Sequence, residues 1–273
     1  MPAMISVIFG FVSFCFLYGL VLVGKQIFIR ERRVSALSAL HLSWGWVFVA
    51  VFLFLFIPCS VQNVMALLLK KIPVSIDKVL WMALVGETSL ALYILLLLKS
   101  DPRIIPGIGQ KIVGLSHLLR DILEGYCQCL PLLFGITLFW KFIVDVLHQW
   151  GLPVSFDQQP IIQLLAHSKP QLSGVFAIGV CVVLLAPLCE EIFFRGVLLR
   201  FLHSRISLKK SLWTCSLIFA LVHQHFASFL PLCFLGYWLG LSYIKTRCIW
   251  TNVGIHALFN GTNLVLVLAV PEL

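Results

Sequence analysis

Two adjacent carboxylates, Glu190 and Glu191, end a long apolar run and are followed by Arg195. Ionisable groups buried in lipid cost roughly 2.5–3.5 kcal/mol each on insertion scales, so their presence points to function. Successive side chains on a helix diverge by about 100°. Glu191 and Arg195, at i,i+4, share one face and can pair. Glu190 is left on another face, free to point into a cavity. Downstream stand two more four-residue spacings, Phe219-x-x-x-His223 and His256-x-x-x-Asn260, and the second sets both side chains on one helix face.

A carboxylate with two histidines suits two chemistries. In the first, Glu190 takes a proton from water with His223 sharing the task, while His256 and Asn260 donate to a developing oxyanion. In the second, Glu190, His223 and His256 ligate zinc and leave one position open for water. The His-Glu-x-x-His spacing of common zinc peptidases is absent, and Asn260 fits an oxyanion donor better than a metal ligand. A metal-free site is therefore favoured, with zinc as the open alternative. Polar glue between helices is the competing explanation for any one histidine. It is the reading for His225, two residues from His223 and pointing elsewhere.

Membrane-spanning helices must position these groups. The chain of 273 residues is 60% hydrophobic and 11% charged, whereas a soluble domain carries about 25% charge. Its uncharged runs approach the ~20 residues that a spanning helix needs. Spans are expected at about 4–24, 42–57, 79–98, 126–147, from 172 into the Glu-Glu stretch, 212–230, 232–244 and 253–270. The second is expected to stop at Pro58, with Ser60–Lys71 lying in the interface. These give an all-α integral membrane protein, a bundle of about eight transmembrane helices around an intramembrane polar cavity. Depth poses one condition. His223 lies about 20 Å along its helix from Lys210, so the span limits must shift or the fifth helix must continue past Gly196 for Glu190 to meet it.

The net charge of +9 fits the excess of Lys and Arg in cytoplasmic loops better than nucleic-acid binding. Most of the 20 basic residues fall in loops after the odd-numbered spans, which puts those loops in the cytoplasm and both termini outside. The nine cysteines are irregularly spaced and read as small apolar residues; Cys127-x-Cys129 alone is a weak metal signal. Lys141 and Asp145 are i,i+4 neighbours that can neutralise each other. Glu87 has no local partner and is either a packing group or part of a polar cavity. Gly236 and Gly240, four apart, permit close helix packing. No cleavable leader is evident, since the first apolar run is long enough for a permanent anchor.

The three motifs Glu-Glu-x-x-x-Arg, Phe-x-x-x-His and His-x-x-x-Asn, in this order, resemble those of the CPBP intramembrane proteases, also called the CAAX protease/Abi family, which includes type II CAAX prenyl endopeptidases. The stretch Leu235–Gly240, with Thr246 and Trp250 before His256, is also similar. The resemblance covers about residues 172–270, the catalytic helical core, while 1–171 holds some four variable spans. It implies an endopeptidase with Glu190 as base acting with His223, an oxyanion role for His256 and Asn260, and Glu191 and Arg195 in support. Its implied partners are a peptide or protein substrate, with or without a lipid modification, and membrane lipid. The compact chain suits a bacterial cell membrane, with the site facing the cytoplasm. A non-catalytic scaffold or bacteriocin-immunity protein of the same family is the alternative. An ion transporter using Glu87, Asp145 and Glu190 is a third reading, unsupported by any internal repeat.

Overall fold

The computed structural model describes residues 2–28, 37–69, 75–107, 114–154 and 171–269. They form an all-helical bundle: α1 (Pro2–Phe28), α2 (Trp44–Leu68), α3 (Ile76–Ser100), α4 (Leu115–Gln149), α5 (Leu172–His203), α6 (Leu208–Val222), α7 (Phe229–Thr246) and α8 (Ile249–Ala269). Short 3₁₀ turns at Pro102–Gly107 and Phe226–Ser228 join neighbours. Six helices, α2, α3, α4, α5, α7 with its preceding turn and α8, are long and apolar enough to cross a membrane, and α1 contains a shorter apolar stretch, Phe9–Gly24. The expected bundle of about eight helices is present. Large apolar side chains such as Phe48, Phe142 and Phe176 stand exposed on its outer surface, as a lipid-facing surface requires.

Several boundaries differ from expectation for identifiable reasons. Pro58 does not end α2; it lies inside the helix, which runs on to Leu68. The segment from Ser60 is thus a continuation of the span rather than a separate interfacial helix, up to Leu68, while Lys70 and Lys71 lie outside the described residues. An internal proline loses one backbone hydrogen bond, a loss that packed membrane helices tolerate. At the other end of the chain, α7 begins at Phe229, and Pro231 falls in its first turn, where the missing N–H has no helical acceptor to lose. α6 consequently ends at Val222 and has only 15 residues, about 22 Å of helix.

α5 meets the depth condition by continuing past Gly196 to His203. It is interrupted by two wider π-helical segments, Val180–Leu185 and Ile192–Leu199, which flank the regular turn Ala186–Glu191. Pro187 explains the first: it cannot bond the carbonyl of Val183 four residues back and its ring clashes there, and a π turn shifts the ladder by one residue. Glu190 then lies about 20 Å from the His203 end of α5, the same depth as His223 from Lys210.

The main core joins α2, α3, α5, α6 and α7. Phe54 stacks on Phe193 with centroids 4.2 Å apart, and Phe194 meets Phe219 edge-on at 5.1 Å. Arg200, 3% exposed, donates to the carbonyls of Ser38, Ile104, Gly196 and Arg103, and its own carbonyl accepts from Leu40 N–H. It ties the strand-like entry to α2 and the turn after α3 onto the end of α5. α4 is fastened to the last two helices by Trp238 Nε1 donating to Gly125 O and by the Tyr126–Thr262 hydroxyl pair. All nine cysteines are free and all but Cys59 are buried, as their reading as apolar residues expects. Gly236 packs on Ser216 and Phe219, and Gly240 on Leu212, so both do admit α6 at close range.

α1 lies tight against α4 at Gly19, where an added Cβ meets the backbone carbonyl of Cys127. Backbone cannot swing aside as a side chain can. Gly19→Ala is therefore expected to lower the thermal melting point in detergent, by about 1–3 kcal/mol of overpacking. Gly10, with open space around it, serves as the control, and Gly10→Ala should leave the melt unchanged.

Candidate functional site

The site is assembled around a carboxylate with no access to solvent. Glu191 is 0% exposed and Arg195 1% by side chain, and Arg195 Nη1 donates to Glu191 Oε1 at 2.7 Å. The expected i,i+4 pair is formed. Burying two opposite charges recovers their desolvation only if the remaining donors and acceptors are met. Here Arg195 Nη2 donates to Gly236 O at 3.0 Å, and the guanidinium lies over the Phe219 ring, 5.0 Å from its centroid. Glu191 accepts two further hydrogen bonds from α8: His256 Nδ1 to Oε1 at 2.9 Å and Asn252 Nδ2 to Oε2 at 3.3 Å.

Asn252 is a site residue that the motifs do not contain. It precedes His256 by four residues, so Asn252, His256 and Asn260 form one stripe of α8, and that periodicity was the available signal. Its amide also donates to Leu239 O in α7. Glu191 thus locks three helices, α5, α7 and α8, through side chains that each satisfy one of its lone pairs or a neighbour's carbonyl.

His256 bridges the two glutamates. With Nδ1 donating to Glu191, its Nε2 faces Glu190 Oε2 at 4.0 Å. That Glu190 oxygen is buried and has no hydrogen-bond partner. The glutamate with an unengaged oxygen is the one that the helix geometry left free. His223 is anchored within its own helix, Nδ1 to Phe219 O at 2.6 Å. A carbonyl only accepts, so Nδ1 carries the proton and Nε2 presents a lone pair. The Phe219 ring lies between the two histidines, with centroids 4.8 Å from His223 and 6.0 Å from His256. The phenylalanine of the second motif is therefore a hub: its carbonyl orients one histidine, and its ring supports the other and Arg195.

Glu190, Glu191, Arg195 and His256 are brought together directly, and His223 joins them across Phe219. Among the described residues, His223 and Glu190 form no hydrogen bond or ion pair. Asn260 donates to Val182 O, in the first π segment of α5, at 2.9 Å, which uses one of its two amide protons. His225 bonds Ser228 instead and stays outside the cluster, as expected. Lys141 and Asp145 pair at 3.1 Å on the exposed face of α4. Among the described residues no three His, Cys, Asp or Glu side chains gather as a metal-binding group; Glu190, His223 and His256 in this arrangement do not make a three-ligand set.

The two adjacent glutamates are expected to fail differently when neutralised. Glu191→Gln strands Arg195 in a dry interior and loosens His256, a change that breaks a buried pair and should destabilise the fold by about 3–5 kcal/mol. Glu190→Gln, which disturbs no hydrogen bond, should keep the melting point or raise it. Equal losses of melting temperature in both variants would overturn this division.

Residues 172–262 match the model of the Rce1-like family, described as type II CAAX prenyl endopeptidase Rce1-like. No curated protein and no solved structure matches the chain. The matched stretch holds all three motifs and every residue of the Glu191 network, and over it the chain is similar to that family, as the motifs led one to expect.

Proposed function

We propose that this protein is an intramembrane endopeptidase that hydrolyses a peptide bond within the membrane. The observation that carries the reading is the unpartnered, buried oxygen of Glu190 facing His256 Nε2 at 4.0 Å, beside a carboxylate whose charge is already spent on Arg195. The name of the matching family supports peptidase chemistry on prenylated CAAX tails, and the six apolar helices support a multi-pass membrane protein.

The reaction follows from the groups present. Glu190, with the lone pair of His223 Nε2 in support, removes a proton from water as the water oxygen attacks the scissile carbonyl. The carbonyl π electrons move onto oxygen. His256, acting with both ring nitrogens protonated and Nδ1–H held by Glu191, donates from Nε2–H to that oxyanion, and the second N–H of Asn260 meets it from the same face of α8. Collapse breaks the C–N bond, and the proton taken up by Glu190 passes to the leaving amine. A carboxylate at one ring nitrogen orients a histidine and favours its doubly protonated form, whose other N–H can donate, which is the task that this reading gives Glu191. The substrate is a peptide or protein segment, with a lipid-modified C-terminal tail as the leading class, entering from the bilayer. The basic residues Arg103, Arg205, Lys209, Lys210, Lys245 and Arg247, all at one end of the helices, support a cytoplasmic setting for that end, and a bacterial cell membrane is the setting proposed.

Peptide cleavage by the protein in proteoliposomes tests the reading. Glu190→Gln should abolish it; a biological activity that survives in that variant would favour a scaffold or immunity role instead. Asn260→Ala should lower turnover by about 10²–10³, the usual loss for one oxyanion donor, with little change in melting temperature. Zinc chelators should leave the rate intact. One zinc per chain in active protein, lost together with activity on chelation, would overturn the metal-free account.

A further inference from the structure

α3 lies outside the matched stretch, yet it presents an acid to the site. Its N-terminal end is docked on the start of α5. Asp77 Oδ1 accepts from Gln171 N–H at 2.9 Å, and both Asp77 and Leu80 crowd Gly174. Leu80 continues the contact into Ile178 and Cys181, with Ala83 and Leu84 packed alongside. Positions 77, 80, 84 and 87 recur at three or four residues and form one stripe along α3. The two helices run in the same direction, so register can be followed from the fixed point at Gly174. Ten residues from Asp77 to Glu87 are about 15 Å of rise, which brings Glu87 level with the start of the Ala186–Glu191 turn. Glu87 is accordingly within electrostatic reach of Cys181, Cys189 and Glu190.

Two features make Glu87 a poor structural residue. Its Oε2 is buried and without a hydrogen-bond partner, as is Oε2 of Glu190. Among the described residues no Lys, Arg or His forms an ion pair with it. A membrane carboxyl that anchors helices has a partner, as Glu191 does with Arg195 and His256. Glu87 instead lies within electrostatic reach of a like group on a segment that α3 packs against, an arrangement that lowers stability and is retained where chemistry needs it.

We infer that Glu87 is a further catalytic carboxyl of this site, seating the attacking water together with Glu190. Water has two O–H donors, and the two glutamates offer two unengaged acceptor oxygens. Glu190 removes one proton as the O–C bond forms. Glu87 accepts the hydrogen bond of the proton that stays on the nucleophile, which turns the oxygen lone pair toward the carbonyl. No proton or electron is transferred to Glu87, and the balance of the hydrolysis is unchanged. This role rests on the peptidase reading and adds to it a group from the N-terminal half of the chain.

A thermal double-mutant cycle on the full-length protein in nanodiscs tests the placement without any substrate. Glu87→Gln is expected to raise the melting temperature, because an amide relieves the facing carboxyls. The rise should shrink in a Glu190→Gln background, since the partner charge is already gone. A fall in melting temperature, no change, or a rise of the same size in both backgrounds would each overturn the proposal. The catalytic arm uses a quenched fluorescent peptide ending in a prenylated CAAX tail. Glu87→Gln should lower kcat by about 10²-fold through misplaced water at an unchanged KM, with Glu87→Asp recovering part of the loss. Full kcat in Glu87→Gln would sink the water-seating role. If the parent protein does not cleave this peptide, the substrate assignment fails, and the thermal cycle still decides whether Glu87 and Glu190 face each other.

Discussion

The constraint that organises this molecule is the cost of holding the Glu191 carboxylate away from water. Such a charge persists only when a counter-charge and several donors surround it. Each donor comes from a different part of the chain: Arg195 from the next turn of α5, His256 and Asn252 from successive turns of α8. Satisfying one residue therefore fixes the rotation of α5 and α8 relative to one another. α7 is drawn in because Gly236 O takes the second guanidinium arm and Leu239 O takes Asn252. α6 is drawn in through Phe219, which lies under that guanidinium. The placement of His256 beside Glu190 follows from meeting this electrostatic demand.

The features that depend on spacing along one helix were legible in the sequence. The Glu191–Arg195 pair, the Lys141–Asp145 pair, the close approach at Gly236 and Gly240 and the exclusion of His225 all follow from residues three or four apart. The continuation of α5 past Gly196 was also within reach, because the depth of His223 left few alternatives. Features that depend on how deep one helix sits against another were not legible. Asn252 looks like an ordinary helical residue until Glu191 is placed opposite it. The choice of His256 rather than His223 as the direct neighbour of Glu190 depends on two π segments, and nothing in Ile192–Leu199 announces the second. Proline was misleading at Pro58, where a membrane helix simply absorbs it.

Those π segments have a structural role beyond accommodating Pro187. A widened turn rotates everything after it relative to everything before, so Ala186–Glu191 is held at an angle that a uniform helix would not give. It also leaves carbonyls less tightly engaged by their own helix, and the amide of Asn260 uses one of them, Val182 O. Position within the site is set by interruptions in regularity, flanked by long regular stretches that supply the anchorage.

The brevity of α6 has a consequence for the surrounding lipid. Fifteen residues give about 22 Å, against a hydrocarbon core of about 30 Å. Trp213, Leu217 and Leu221 stand exposed along it, so acyl chains contact a helix too short for them. Such a mismatch is met by local thinning of the bilayer, at a fraction of a kcal/mol per Å. A bilayer thinned in this way would dip where α6 gives way to α7, at the turn that begins at His223 and at the end of α6 opposite Lys209 and Lys210. Water would have a shorter apolar path to cross there than beside the longer helices.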